Sequence, residues 1–339
     1  MLFNYRLKGS LVVEEFTSDV LAGNPLGDPV LRQVPVYLPP GYHLRSRRYP
    51  VVYLLAGLFG SAGGWLQFKE FSENVFQIAD RLIAGGLPPF LIVCPDNFTR
   101  YGGSQFLNSA GTGRYMDHIV DELVPLIDNA YSVDARREAR ALAGRSSGGF
   151  GALRLAMAHP DVFAHALSSS GDLYFRAGVF AEIARVPSLL DSVGGLEHFL
   201  EGLPGLTNLD GGAATLLNVI ALSSCYSPNP ANRHGFDLPI DVLTGELRHD
   251  VLERWFAQDP AERIDAEGDA LRSLQTLYVE AGNRDEYHAD LGARVFAARC
   301  GRAGIPVMHE EFAGGHFGTT WRYEVLFRLL GERFARLES

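Results

Sequence analysis

The chain has 339 residues, 47% of them hydrophobic and 21% charged, which is typical of a globular protein with an ample core. Its 30 basic and 40 acidic side chains give a formal net charge of −10 at pH 7 and form no stripe of Lys or Arg, which argues against nucleic-acid binding. No apolar run approaches the ~20 residues that a membrane span needs, so we expect no membrane association.

The first residues and the cysteines bear on the cellular compartment. Met1 to Lys8 lacks the basic-then-apolar order of a signal peptide. The three cysteines, Cys94, Cys225 and Cys300, are widely spaced and odd in number, as expected for reduced thiols rather than a disulfide framework or a zinc site. We therefore expect a cytoplasmic protein with neither a metal nor a cofactor. The sequence leaves homo-oligomerisation open.

Apolar runs bounded by Pro and Gly predict strands in the first half of the chain. These strands are predicted at 11–16, 32–38, 51–55, 90–94, 139–143 and 162–169. Apolar residues at helical spacing predict helices at 71–84, 117–130 and 149–159. Strands that alternate with helices indicate an α/β fold with a mostly parallel central sheet and helices on both faces.

The alternation stops in the segment 171–264, which is rich in Gly, Pro and Asn. Short helical patterns within it lie at 179–185, 196–203 and 213–222. The alternation resumes with strands at 274–279 and 305–308, a helix at 291–302 between them, and a final helix at 321–337. We therefore expect a single catalytic domain over 1–339, with an inserted helical cap at about 171–264 over the carboxyl edge of the sheet.

The most informative motif is Gly144-Arg145-Ser146-Ser147-Gly148, which has G-x-S-x-G spacing between a predicted strand and a predicted helix. In that context the serine lies on a sharp turn, and the residues two positions before and after it must be almost free of side chain. Glycine meets this requirement around Ser146, whereas Arg145 would stand two positions before Ser147. The motif therefore selects Ser146 as a nucleophile.

A serine nucleophile needs a base, and His316 is the preferred candidate. It lies in a glycine-rich loop after the last predicted strand, where the chain order of the α/β-hydrolases places the histidine. His309 lies at the end of that strand, where a core or edge role is expected. His288 lies at a predicted helix start, where solvation is expected.

The acid that orients the base should follow the preceding strand. Asp285 lies beyond a turn-forming Gly-Asn pair after the strand 274–279, and is the preferred acid. Glu286 is its nearest competitor and Asp172, after the strand 162–169, is the more distant alternative. The oxyanion of an acyl-transfer reaction needs two backbone N–H donors, for which we select Ser147, after the nucleophile, and Leu58, in the glycine-containing loop after the strand 51–55.

Aromatic side chains on loops near the catalytic strand ends could form a substrate pocket. The preferred candidates are Phe59, Trp65, Tyr174 and Phe317. Arg145 could bind an anionic group of a substrate, because the motif holds it next to the nucleophile.

At this point the chain resembles the esterase family that includes esterase D (S-formylglutathione hydrolase), feruloyl esterases, enterochelin-type esterases and mycolyltransferases. The resemblance extends over most of the chain. It rests on the segments Val36 to Tyr42, Tyr49 to Leu58, Pro95-Asp96, Gly113 to Leu123, Gly144 to Gly149, Tyr278 to Asp285, Gly304 to Pro306 and Gly314 to His316.

The resemblance implies the α/β-hydrolase fold, with Ser146, Asp285 and His316 as the triad and Leu58 and Ser147 as the oxyanion donors. The chain departs from the family pattern in several ways, which include Arg145 beside the serine and a longer segment at 171–264. It has Ala56 where many members have His or Asp, and Ser147 where many have Met.

These observations favour a serine carboxylesterase that acts on a small-molecule ester or thioester through an acyl-enzyme on Ser146. Acyl transfer to an alcohol or thiol on the same triad is the enzymatic alternative. A degenerate, non-catalytic binding protein is the alternative from another class, although a scaffold would not need the complete set of Ser, Asp and His. A metal-dependent hydrolase lacks support, because no cluster of His, Asp or Cys has ligand spacing.

Overall fold

The computed structural model describes residues 7–42 and 47–337, so that most of Met1 to Lys8 lies outside the described residues. The strands within this part of the chain are β1 Ser10–Thr17, β2 Leu31–Leu38, β3 Val51–Leu55, β4 Leu91–Val93, β5 Asn108–Ser109, β6 Gly113–Arg114, β7 Arg140–Arg145, β8 His165–Ser169, β9 Thr276–Gly282 and β10 Met308–Phe312. β5 and β6 pair as a short antiparallel hairpin.

The other eight strands form one sheet in the order β1-β2-β4-β3-β7-β8-β9-β10. β2 runs antiparallel to both of its neighbours, β1 and β4. All the remaining neighbours are parallel, which requires a crossover between each pair. The predicted α/β fold with a mostly parallel central sheet is confirmed.

Helices supply these crossovers and the segment between β8 and β9. The α-helices are α1 Ala62–Trp65, α2 Val75–Ala84, α3 Tyr115–Asp117, α4 Val124–Ala130, α5 Ser147–Ala158, α6 Phe175–Ile183, α7 Val186–Ser192, α8 Leu196–Gly202, α9 Gly211–Tyr226, α10 His249–Phe256, α11 Ile264–Arg272, α12 Ala289–Arg302 and α13 Tyr323–Ala335. A π-helical stretch, His118–Leu123, joins α3 to α4, so the helix predicted at 117–130 is one continuous helical region with a local change of winding.

The central strands are buried on both faces, and their side chains alternate between two apolar clusters. In β3, Val51, Tyr53 and Leu55 belong to one cluster, whereas Val52 and Leu54 belong to the other. Helices α2 and α13 complete the second cluster. The first and larger cluster contains apolar residues of α4, α5 and α12 together with those of α6 to α10.

The last strand differs from the prediction. We expected it at 305–308, but β10 begins at Met308, where it pairs with Tyr278 of β9. Ile305 is buried in the core just before the strand, after the turn at Gly304, which has φ 65°. β10 is an edge strand with a largely polar sequence, so it lacks the apolar run that marks a buried strand. His309 consequently lies inside the strand rather than at its end.

The segment between β8 and β9 is helical, and α6, α8 and α9 lie close to the three predicted helical patterns. Helices α7, α10 and α11 were not predicted. Among the described residues, no helix combines the length and apolar character needed to cross a membrane. Cys94, Cys225 and Cys300 are all buried free thiols.

Candidate active site

The carboxyl ends of the parallel strands lie along one edge of the sheet, where ligands bind in open α/β folds. The loop after β3 contains Gly57 and Leu58, and the turn after β7 contains Ser146. Asp285 follows β9, and His316 follows β10. The sheet order therefore brings residues from four distant parts of the sequence to one edge.

The sharpest turn at this edge lies between β7 and α5. Arg145 ends β7, Ser147 begins α5, and Ser146 between them has φ 57° and ψ −128°. A positive φ in a non-glycine residue is strained, and such strain persists only where the surroundings enforce it. Here the N–H of Ser146 donates to the carbonyl of Ser169 at 3.0 Å, and the carbonyl of Ser146 accepts from the N–H of Phe150 at 2.9 Å.

The two glycines of the motif are required by backbone contacts. A Cβ on Gly144 would lie 2.4 Å from the carbonyl carbon and oxygen of Gly148. A Cβ on Gly148 would lie 2.1 Å from the carbonyl oxygen of Leu55, at the end of the neighbouring strand. Both distances are far below van der Waals contact, so any larger residue would displace the turn that holds Ser146.

His316 and Asp285 form a buried pair. The His316 Nδ1 lies 2.9 Å from Asp285 Oδ2, and both residues are about 4% exposed. Asp285 Oδ1 accepts from the N–H of Tyr287 at 2.9 Å. Burial alone raises the pKa of Asp285, but the hydrogen bonds from His316 and from backbone N–H groups outweigh it and hold the pKa below its usual range. Asp285 is therefore ionised at neutral pH, and its Oδ2 can accept a proton carried on the His316 Nδ1.

Two more charged side chains hold the backbone of His316. The Glu286 Oε2 accepts from the N–H of His316 at 2.6 Å, and Arg145 Nη1 donates to its carbonyl at 2.7 Å. The same Arg145 nitrogen donates to Thr319 Oγ1 at 3.1 Å. Glu286 was the competing candidate for the acid and Arg145 a candidate for substrate binding. The structure places both of them on the backbone of the histidine loop, and we call them the His316 clamp.

The candidate oxyanion donors, Leu58 and Ser147, are the chain neighbours of Gly57 and Ser146. A Cβ on Gly57 would lie 3.4 Å from Ser146 Cβ and 4.0 Å from Ser146 Oγ, which shows how closely the loop after β3 approaches the serine. Within the described residues, the N–H of Leu58 donates to no protein group. Ser147 begins α5, and the first N–H groups of a helix have no partner within the helix.

Ser146 and His316 open into one cavity of about 430 Å³. One wall comes from the sheet edge, with Leu58 and the candidate residue Phe59. The other wall comes from the segment between β8 and β9. The residues that this segment contributes are Asp172, Gly178, Val179, Glu182, Leu209, Gly211, Ala214, Asn218 and Leu222.

The aromatic candidates separate into two groups. Phe59 and Phe317 line the cavity, and the Phe317 ring lies 5.3 Å from the ring of His316. Trp65 instead packs edge-on against Tyr323 with the ring centroids 6.2 Å apart, and lines a different cavity of about 300 Å³. Tyr174 precedes α6 with its ring under the Arg299 guanidinium, and it is not among the residues that line the Ser146 cavity.

The acidic character of the cavity was not predicted, although Asp172 was considered as a catalytic acid. Burial raises the pKa of Asp172 to about 6 and the pKa of Glu182 to about 7. Glu182 lies on α6 and accepts a hydrogen bond from the Asn218 amide on α9. No local pattern singles out Glu182 in the sequence, because the residues around it are those of an ordinary short helix. In the described ranges, no group of three or more His, Cys, Asp or Glu side chains is placed to hold a metal ion.

The order of these features along the chain defines the class of protein. A serine on a strained strand-to-helix turn, followed by a carboxylate and then a histidine after later strands, is the arrangement of the α/β-hydrolases. The sequence model of the family described as "Putative esterase" matches residues 30–328. The chain belongs to this esterase family, and the resemblance inferred from its motifs is confirmed.

Sequence relatives include proteins named as esterases and feruloyl esterases. An esterase of Mycobacterium tuberculosis is 30% identical over 285 residues, which cover 84% of this chain and 52% of the relative. An endo-1,4-beta-xylanase/feruloyl esterase of Xylanibacter ruminicola is 30% identical over 144 residues, which cover 41% of this chain and 19% of that protein. The chain thus spans about half the length of the mycobacterial relative. It spans a smaller share of the xylanase/feruloyl esterase.

Solved structures share the fold over almost the whole chain. An S-formylglutathione hydrolase from Agrobacterium tumefaciens has a TM-score of 0.61 at 16% identity, over 97% of both chains. A ferulic acid esterase from Anaeromyces mucronatus has a TM-score of 0.57 at 15% identity, over 97% of this chain and 92% of that one. At these identities the likeness establishes the fold.

Proposed function

We propose that the protein is a serine ester hydrolase that forms an acyl-enzyme on Ser146. The observation that carries this proposal is the buried pair of His316 and Asp285, which opens with Ser146 into one cavity. Membership of the esterase family supports the same reaction class. In this proposal 1–339 is one catalytic domain.

The reaction begins when the Nε2 of His316 takes the proton of Ser146 Oγ, while Oγ attacks the ester carbonyl carbon. Asp285 holds the Nδ1 proton, which leaves Nε2 free to act as the base and stabilises the imidazolium that forms. The tetrahedral intermediate collapses, the alcohol leaves with the proton from His316, and the acyl group remains on Ser146. Water, deprotonated by the same Nε2, then attacks the acyl-enzyme and releases the carboxylic acid.

Two backbone N–H groups, those of Leu58 and Ser147, stabilise the negative oxygen of the tetrahedral intermediate. The N–H of Ser147 also lies at the positive end of the dipole of α5. Each such donor typically contributes about 10²–10³ in rate. Because both donors belong to the backbone, the fold itself sets their positions.

The segment 171–264 acts as a cap that determines which ester enters. Its apolar residues Val179, Leu209 and Leu222 face the same cavity as the nucleophile. Phe317 stands beside His316 on the opposite wall and is 62% exposed, so that it can contact a substrate without cost to the core. The acyl or alcohol portion of the substrate therefore lies between the cap and the sheet edge.

The test is hydrolysis of p-nitrophenyl esters from acetate to palmitate by the wild-type protein and by Ser146→Ala. We expect hydrolysis that is lost in Ser146→Ala and retained in Ser188→Ala, which makes the same chemical change at an exposed residue of α7. Equal hydrolysis by wild type and Ser146→Ala would contradict the proposed nucleophile. Circular dichroism of both variants checks that the fold is unchanged.

A further inference from the structure

The wall of the Ser146 cavity that faces the nucleophile from the cap contains two carboxyl groups. Asp172 follows β8, and Glu182 is the penultimate residue of α6. Both line the cavity together with the Asn218 amide and the Tyr287 ring. We call these four residues the acidic wall. The mechanism proposed above uses none of them.

Asp172 has no permanent counter-charge and no protein donor within the described residues, because the favourable charge that acts on it there is that of His316, which is cationic only when protonated. Its carboxylate oxygens take part in no hydrogen bond or ion pair there, and neither oxygen is sealed from solvent. A carboxylate that is half-buried without a partner is costly, and the cost grows when a ligand expels the water that solvates it. The ligand that fills this cavity must therefore supply the missing donor.

Glu182 also lacks a positively charged partner that a ligand could supply. It is 8% exposed, and the only hydrogen bond to its carboxyl within the described residues comes from the neutral amide of Asn218. The neighbouring Arg185 uses Nη1 on Thr215 Oγ1 and is not one of the residues that line the cavity. The cation that does line the cavity, Arg145, is committed to the His316 carbonyl and Thr319.

The remaining lining sets the shape of the ligand. Leu58, Phe59, Val179 and Leu222 give the cavity an apolar part next to the acidic wall. An alkyl chain that ends in a polar group fits this combination. A terminal carboxylate would be repelled, and a terminal methyl group would leave Asp172 without a partner. A hydroxyl group has one proton to donate, whereas an ammonium group has three and also carries the opposite charge.

We propose that the acidic wall selects esters that carry a primary ammonium group on an alkyl chain. The inference rests on the proposed function for its catalytic meaning, but the cation site itself can be tested by binding alone. The ammonium group lies between Asp172 and Glu182, while the alkyl chain crosses the apolar part of the cavity towards Ser146.

The first measurement is calorimetric binding of three six-carbon probes, hexylammonium, 1-hexanol and hexanoate, to the Ser146→Ala protein at pH 8, where both carboxyl groups of the acidic wall are ionised. We expect hexylammonium to bind at least about tenfold more tightly than 1-hexanol, and hexanoate to bind most weakly. Adding Asp172→Asn or Glu182→Gln should reduce this preference, and adding both should remove it. Asp269→Asn, which changes an exposed carboxylate outside the cavity, should leave the preference intact.

A preference that survives the combined Asp172→Asn and Glu182→Gln changes would overturn the proposal. Binding of 1-hexanol or hexanoate as tight as that of hexylammonium would overturn it as well. The same probes should inhibit hydrolysis of p-nitrophenyl butyrate in the same order. If no ester is hydrolysed while hexylammonium still binds through Asp172, the proposed esterase function is wrong and the cation site is supported. If esters are hydrolysed without any preference for the ammonium probe, only the proposed cation site is wrong.

Discussion

The two walls of the Ser146 cavity are built in different ways. At the sheet edge, the proposed nucleophile, acid and base each follow a strand, and backbone contacts such as Gly148 against Leu55 leave little freedom. In the cap, short helices bring Glu182 and Asn218 together from positions 36 residues apart. The comparison suggests that the sheet edge fixes the chemistry and the cap fixes the substrate, so changes in the two walls should have different kinetic effects.

The largest effect is expected at the buried acid of the sheet edge. Asp285→Asn replaces an acceptor of the His316 Nδ1 proton with an amide that can donate to Nδ1. This favours the imidazole tautomer that carries its proton on Nε2, which cannot act as the base. We expect kcat to fall by about 10⁴, the loss that follows the same change of the triad aspartate in a serine protease. Steady-state kinetics with a p-nitrophenyl ester measures it. A fall of less than tenfold would show that another carboxylate orients the base.

The next effect concerns the stability of the cap rather than catalysis. The pKa of Glu182 rises from 4.5 to about 7 in the folded protein, so the folded state holds a proton that the unfolded state releases between these values. The stability contributed by the protonated carboxyl is complete below pH 4.5 and is lost as the pH rises through 7. The loss amounts to about 3 kcal/mol at most.

Glu182→Gln keeps an acceptor for Asn218 but has no proton to lose. Its free energy of unfolding, measured by urea denaturation from pH 5 to pH 8, should fall less with rising pH than that of the wild type. Parallel pH dependences of the two proteins would mean that Glu182 ionises normally in the folded state. The same variant leaves the contacts of Asp285 and His316 unchanged, so it tests the cap alone.

The His316 clamp should have an intermediate effect. Glu286→Ala removes the acceptor of the His316 N–H, whereas Glu286→Gln keeps a carbonyl oxygen in its place. We expect Ala to lower kcat by about 10–100-fold with little change in KM, because a small displacement of a catalytic group is costly. Gln should restore most of kcat. Equal activity of both variants to that of the wild type would show that the loop holds His316 without this contact.

The smallest effect is expected at the rim of the cap. Leu209 lines the cavity and is 37% exposed, so Leu209→Ala should remove apolar contact with a substrate at little cost to the fold. We expect KM for long acyl chains to rise by about three- to tenfold, with kcat for the acetate ester unchanged. Leu243→Ala, at a residue that is 92% exposed, is the control. An equal loss for acetate and palmitate would place Leu209 outside the acyl path.

The sheet could be predicted from the sequence because its central strands are continuous apolar runs. The strands predicted at 51–55 and 90–94 lie within one residue of β3 and β4. β10 was misplaced because an edge strand can be polar, as Met308 to Phe312 is. Helix α10 was missed because its amphipathic pattern spans only His249–Phe256, too short to stand out from the surrounding loops.

The site could be predicted where chemistry follows local sequence, and not where it depends on tertiary contacts. The G-x-S-x-G spacing predicts the turn, because close backbone contacts at positions 144 and 148 leave room only for Gly144 and Gly148. Nothing near Glu286 or Arg145 shows that both would bind the backbone of His316. Trp65 and Tyr174 were assigned to the substrate pocket from their positions near strand ends, but proximity to a strand end does not determine where a ring packs.

The most direct test of the proposed acyl-enzyme is mass spectrometry of the intact protein quenched in acid shortly after mixing with a p-nitrophenyl ester. We expect a protein whose mass is increased by one acyl group, and a peptide from 141–154 that carries the group on Ser146. Ser146→Ala should gain no such mass. Rapid hydrolysis with the acyl group on another residue, or with Ser146→Ala as active as the wild type, would contradict Ser146 as the nucleophile.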